Sequence, residues 1–353
     1  MIVYLLIGIL ILVFGLVFEK KIKYKLFYCF FISAILIFFS ALRGDFTSDY
    51  FSYISFFDYV KGLDFAYIWN NSFYNEKGFV FLNKILSLIS TNNLVIIIFM
   101  SILTILSFCF KLKKHSPTLW LSILIFVSIG NFYDSFNVSR QIMAASIVFL
   151  GSDYLFEGKF FKYSIFVLIA ALFHRTAILM IPLYFLIRIK ISFKNIILLI
   201  VLGTAAFFAL PQLILLAQRI FPSYQDYSYG MSGGNFKWLI APISLLIFVI
   251  YSIVFKRANS FVINDGINNV LMNCLIIYVI FTIFGMQVPM ITRISTYLQP
   301  FSWILIPKLL SCYDNKKEGF FITSAIALLC LVYPLVVLSG TGYDPYYFCW
   351  RNR

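Results

Sequence analysis

A chain of 353 residues that is 62% hydrophobic and 12% charged carries more Leu, Ile and Phe than one soluble core needs, which excludes a water-soluble enzyme and points to a polytopic membrane protein. The net charge of +14 would suit nucleic acid in a soluble protein. Here the lysines fall in short clusters between apolar runs, so the charge reads as topogenic and facing anionic lipid, with no nucleic-acid partner expected.

The apolar runs are long and mostly uncharged, so the spans are helices, which satisfy their own backbone groups in lipid. Residues 2–18 form the first expected span; without a basic start or a small-residue cleavage site, this run reads as retained rather than as a signal peptide. Lys20, Lys21, Lys23 and Lys25 follow it and set the first connection in the cytoplasm. The second span, 26–42, delivers Arg43 to the opposite face, where a loop of about fifty residues, 43–92, far exceeds the usual connection length and reads as a lid or binding element. Within that loop Asp49, Tyr53, Phe56, Phe57 and Val60 fall at helical spacing. The run 78–89 is apolar but short for a span, so one or two interfacial helices are expected. Trp69, Tyr67 and Tyr74 suit the same interface.

Spans three and four are expected at 94–110 and 119–131, split by Lys111, Lys113 and Lys114. A short outer turn, 131–139, follows, with Ser139 capping a helix that begins at Arg140. Span five runs to about 156, span six covers 163–173 and ends at His174-Arg175, and span seven returns to Arg188 and Lys190. Span eight, 196–217, leads to a second outer loop, 218–237, in which Tyr224, Tyr227 and Tyr229 with Gly230, Gly233 and Gly234 offer a surface on which sugars stack. Spans nine to twelve carry the chain past Lys256-Arg257, Arg293 and Lys316-Lys317 to a tail containing Tyr343 and Tyr347. The expectation is an all-α polytopic membrane protein of about twelve transmembrane helices in a single integral domain, 1–353.

On the expected outer side sit Arg43, Asp45, Asp49, Glu76, Arg140, Gln141, His174, Arg175 and Arg293. Three arginines from distant regions, Arg43, Arg140 and Arg293, suit a diphosphate, because a guanidinium fork binds phosphate bidentately and stays charged. Arg140 also opens a helix whose terminal amides favour anions. Asp45, Asp49 and Tyr53 are spaced by four and would share a face if the segment is helical there. Asp49 reads either as a base or as a brace for an arginine, and His174 either as a base for a sugar hydroxyl or as a structural hydrogen-bonding group. The six cysteines, Cys29, Cys109, Cys274, Cys312, Cys330 and Cys349, show no paired spacing. Neither a disulfide framework nor a metal site is expected, and no cofactor is implied, since Walker, dinucleotide and serine-elbow patterns are absent.

The segments Leu42-Arg-Gly-Asp45 with Asp49, Tyr50 and Tyr53, Glu76-Lys-Gly-Phe79, Val138-Ser-Arg-Gln141, Ala171-Leu-Phe-His174-Arg-Thr-Ala177, and Arg293 with Tyr297 resemble, in this order, the EpsG-type branch of the Wzy polysaccharide polymerases. The resemblance implies an O-antigen or capsule polymerase of the bacterial cytoplasmic (inner) membrane, with GT-C-like helical architecture and an extracytoplasmic active site. Such a glycosyltransferase moves a glycan from undecaprenyl diphosphate onto a carrier-linked repeat unit and needs no nucleotide sugar; a chain-length co-polymerase is the partner it leaves room for. In this reading Arg43, Arg140 and Arg293 contact diphosphate, and Asp49, Glu76 and His174 are the catalytic set, with Glu76 orienting. Asp45 holds Arg43, and Tyr53, Gln141, Arg175 and Tyr297 complete the substrate contacts. The competing readings are a lipid-linked oligosaccharide flippase, which would carry charges within spans and a repeated half, and an O-antigen ligase or another polyprenyl-phosphate-dependent transferase.

Overall fold

The computed structural model describes residues 2–19, 22–70, 76–129, 131–192, 194–195, 201, 203–209, 212, 237–263, 265–288, 291–339 and 341–350. Most of the expected eighth span, the glycine- and tyrosine-rich stretch 218–236, and Tyr74 lie outside these residues. Among the described residues the secondary structure is helical, apart from one isolated antiparallel bridge between Arg43 and Phe348.

The chain opens with α1 (Ile2–Phe18) and α2 (Ile22–Ala41). The long loop folds into α3 (Ser48–Lys61), α4 (Phe65–Asn70) and α5 (Lys77–Ile89), which matches the helical spacing in its sequence. Next come α6 (Leu94–His115), α7 (Leu119–Ile129), α8 (Asn131–Asn137), α9 (Ser139–Leu150), α10 (Ser152–Glu157) and α11 (Phe160–Ala171). A 3₁₀ turn, Arg175–Leu179, runs into α12 (Met180–Ile187), and the chain continues with α13 (Lys237–Val254), α14 (Gly266–Phe284), α15 (Thr292–Ser311) and α16 (Lys316–Val337). Among the described residues four stretches are long and apolar enough to cross a membrane, Tyr24–Ala41, Leu94–His115, Gly266–Phe284 and Lys316–Val337, and six shorter apolar helices accompany them. The protein is therefore an all-α, multi-pass membrane protein.

Two local expectations need correction. The turn expected at 131–139 contains the helix α8, and Ser139 is not a cap but the first residue of α9. Its hydroxyl donates to the Ser135 carbonyl at 2.6 Å, the back-bond to residue i−4 that a serine makes when helical backbone precedes it. The expected fifth span is divided at Gly151 into α9 and α10.

Aromatic packing sets the bundle centre. Trp303 of α15 is fully buried, with its ring centroid 4.8 Å from Phe126, 5.1 Å from Phe108 and 6.4 Å from Phe149. These rings come from α7, α6 and α9, so one indole ties four helices through tilted and edge-on contacts that each add stability beyond area burial.

Polar residues separate to the two ends of this bundle. At one end Asp153 binds Lys111 (2.6 Å), Lys114 (2.8 Å) and His115 (2.5 Å), Glu19 accepts from the Leu119 and Trp120 amides at the start of α7, and Arg188 donates to the Leu155 and Phe156 carbonyls. The other end gathers Arg43, Glu76, Arg140, His174 and Arg293.

Candidate active site

The start of α5 presents the centre of the site. Gly78 lies so close to the chain after α11 that a Cβ there would meet Leu172 Cβ at 2.6 Å and the Leu172 carbonyl oxygen at 2.8 Å. Phe79 N donates to that carbonyl at 3.3 Å. Only glycine permits this approach without displacement, and it brings Glu76 against the 174–175 segment.

Glu76 collects three groups distant in sequence. Its Oε2 accepts from Arg140 Nη1 at 2.6 Å, and its Oε1 accepts from the Arg175 backbone amide at 3.1 Å. His174 Nδ1 stands 3.2 Å from the same Oε1, within ion-pair range but not aligned as a hydrogen bond, and the ring's Nε2 is enclosed without a partner. Burial by itself would raise the Glu76 carboxyl, but His174, Arg140 and the Arg175 amide outweigh it and hold the group below its ordinary value,. The carboxylate thereby ties Arg140 to the 174–175 segment.

Arg140 is also held from its flanks. Its guanidinium carbon lies 5.0 Å from the Phe79 ring centroid and 5.9 Å from that of Tyr53, so two aromatic faces and one carboxylate fix the fork. The side chain keeps about a third of its surface exposed (35%), against 16% for Glu76 and 12% for His174. Arg293, at the start of α15, is half-buried, and its side chain makes no hydrogen bond or ion pair among the described residues. Its backbone carbonyl accepts from Gln141 Nε2 at 2.9 Å, which ties α15 to α9. Asp49, in the first turn of α3, is anchored through its backbone amide to Asn137 Oδ1 at 3.0 Å, while its carboxylate takes no hydrogen-bonding partner among the described residues. The Tyr53 phenol is within electrostatic reach of both Asp49 and Arg140.

Several expected ligand contacts turn out to be braces. Arg43 is 1% exposed; its guanidinium donates to the Phe136 carbonyl from Nε (3.2 Å) and Nη2 (3.0 Å), to Ser139 Oγ (3.1 Å) and to the Ser40 carbonyl (2.5 Å). Burial pushes the group down to about 10, which leaves it charged at neutral pH. With four of its five N–H donors engaged and its surface covered, Arg43 offers little to a diphosphate; it locks the end of α2 to the α8–α9 junction. The C-terminal segment seals this lock, since Gly44 N donates to the Tyr347 carbonyl at 2.7 Å and Cys349 N to the Leu42 carbonyl at 2.9 Å. A Cβ on Gly44 would enter the Tyr347 ring at 2.2 Å. Asp45 accepts from the Tyr347 hydroxyl at 2.6 Å, so the carboxylate expected to orient Arg43 holds the tail.

The same holds for three residues expected to touch substrate. Tyr53 is buried, with its hydroxyl on the Asn137 carbonyl (3.1 Å) and under the Arg140 amide (3.4 Å). Gln141 is spent on Arg293, and Tyr297 is buried with its hydroxyl 3.0 Å from Thr176 Oγ1. Arg175 contributes its backbone amide, and its side chain is exposed. Phe79, Asn137, Phe136 and Thr176 were not singled out for these roles. Phe79 and Thr176 carry a signal, their places in the Glu76-Lys-Gly-Phe79 and Ala171-Leu-Phe-His174-Arg-Thr-Ala177 segments; Phe136 acts through its backbone carbonyl, and Asn137 through its carbonyl and its Oδ1. Among the described residues no three His, Cys, Asp or Glu side chains gather as a metal site.

The structure is that of an α-helical, multi-pass membrane protein with an arginine, a carboxylate and a histidine assembled at one end. The EpsG family model matches residues 25–348. The chain belongs to the EpsG family, whose members are Wzy-type polymerase-like membrane proteins. No curated protein and no solved structure gives a match.

Proposed function

We propose that the protein is a polysaccharide polymerase of the bacterial cytoplasmic membrane, with about twelve spans in a GT-C-like arrangement and its active site on the extracytoplasmic side. The substrate is an undecaprenyl-diphosphate-linked oligosaccharide, and the acceptor is a second carrier-linked repeat unit. The observation that carries this reading is the convergence on Glu76 of Arg140 and of the adjacent His174 and Arg175 amide, so that three separate parts of the chain meet.

The acceptor hydroxyl attacks the anomeric carbon, the bond from that carbon to the diphosphate oxygen breaks, and the electron pair leaves with the lipid diphosphate. Arg140 and Arg293 face the negative charge that grows on the leaving group; a donor preorganised in this way is worth roughly 3–4 kcal/mol at the transition state. Glu76 holds Arg140 in orientation, and His174 closes the other side of Glu76. Asp49, whose carboxylate is not engaged, takes the proton from the attacking hydroxyl.

Purified protein reconstituted with carrier-linked repeat units should convert them into a ladder of longer chains. Transfer of single units across the bilayer without elongation would overturn the polymerase reading in favour of a flippase.

A further inference from the structure

Helices α3 and α9 start against each other, and neither is capped by the residue that precedes it. Ser48 opens α3 and Ser139 opens α9, so Asp49 and Arg140 each stand second in their helix. An amide at that position has no acceptor within its own helix and ordinarily takes one from the side chain just ahead of the first turn. Thr47 and Val138, which occupy those places, make no such bond. Thr47 gives its hydroxyl to the Phe136 carbonyl at 2.8 Å, and Val138 has no polar side chain to offer.

Each start is capped by the other segment instead. Asn137 Oδ1 accepts from the Asp49 amide at 3.0 Å and from Ser48 Oγ at 3.1 Å. One turn along α3, the Tyr53 phenol oxygen accepts from the Arg140 amide in a longer bond of 3.4 Å, and its hydroxyl donates to the Asn137 carbonyl at 3.1 Å. Asn137 and Tyr53 therefore close a circuit whose two ends are the backbones of Asp49 and Arg140. Only amides, hydroxyls and carbonyls are used, so the charged ends of both residues stay available. Asparagine suits this place because its side chain presents a carbonyl oxygen to α3 while its own backbone carbonyl, at the end of α8, serves Tyr53.

We propose that Asn137 is a positioning residue that, with Tyr53, sets Asp49 against Arg140. The base and the arginine that faces the leaving group are thereby held at one separation, and a shift of about 1 Å between such groups costs on the order of a hundredfold in rate. The catalytic meaning rests on the glycosyl-transfer reading; the reciprocal caps do not.

The test uses the full-length protein in lipid nanodiscs. Hydrogen exchange, followed by mass spectrometry on peptides covering the start of α3, should quicken about tenfold in Asn137→Ala and stay slow in Asn137→Asp, which keeps the acceptor. With carrier-linked repeat units, Asn137→Ala should lower kcat and kcat/KM together by about tenfold to a hundredfold. Because Asn137 acts through Asp49, adding Asn137→Ala to Asp49→Ala should cost less than about twofold more. A merely structural residue would exact its full loss again in the double variant. That result, or unchanged exchange in Asn137→Ala, would overturn the positioning role. Asn137→Ser, whose shorter side chain withdraws from the Asp49 amide, carries the same measurements if Asn137→Ala fails to fold. A wild type that elongates nothing would overturn the polymerase reading and the positioning role with it, whereas elongation by the wild type with losses that simply multiply would overturn the positioning role alone.

Discussion

Arg43 and Arg140 sit at the same end of the bundle, and each looks from the sequence like a costly charge placed to meet an anion. Their surroundings divide them. Arg43 is enclosed and gives its donors to two backbone carbonyls and a serine hydroxyl, whereas Arg140 is a third exposed, paired with Glu76 and flanked by two aromatic rings. Neutral acceptors fix a guanidinium in place and leave nothing for a ligand. A carboxylate partner with an open edge keeps the charge oriented and available. Being an arginine at a span end therefore says little until its acceptors are known.

The comparison can be broken first at Arg43. Arg43→Ala leaves the Phe136 and Ser40 carbonyls and the Ser139 hydroxyl without their donor, and should cost on the order of 3 kcal/mol or more. The check is loss of monodisperse protein and a lowered melting temperature in detergent; Arg43→Lys should recover little, because an ammonium cannot fork between these acceptors. Gly78→Ala comes next. Its Cβ would press on Leu172, at about 1–3 kcal/mol for overpacking, and would shift Glu76, so elongation should fall along with the melting temperature.

Acid provides a smaller and reversible test. Glu76 is held below its ordinary value of 4.5 when folded, so it contributes stability that is present above that value and is lost as pH falls through the folded one. Melting temperature measured from pH 6 downwards should therefore fall less steeply in Glu76→Gln than in the wild type. The smallest effect is expected from Tyr347→Phe, which removes one partly buried hydrogen bond to Asp45 and should cost about 1 kcal/mol or less in chemical unfolding.

The sequence revealed most of the helices and the polar end, because both are written in side chains. Apolar runs gave helices close to α1, α6 and α7, and the spacing of Asp49, Tyr53, Phe57 and Val60 anticipated α3. The convergence of Glu76, Arg140, His174 and Arg175 was legible as a set of short motifs in order. The brace around Arg43 was not, since its main acceptor is the carbonyl of Phe136, 93 residues away, and a carbonyl has no letter in the sequence. Tyr53 and Gln141 repeat the pattern, with the Asn137 and Arg293 carbonyls as partners, while Tyr297 pairs with the Thr176 hydroxyl.

The central claim is that Arg140 serves the reaction while Arg43 serves the fold, and Arg140→Ala tests it most directly. Reconstituted with carrier-linked repeat units, this variant should melt within a few degrees of the wild type, as a partly exposed ion pair contributes little, yet elongate at least about a hundredfold more slowly. A folded Arg140→Ala protein that builds chains of normal length at the normal rate would contradict the account.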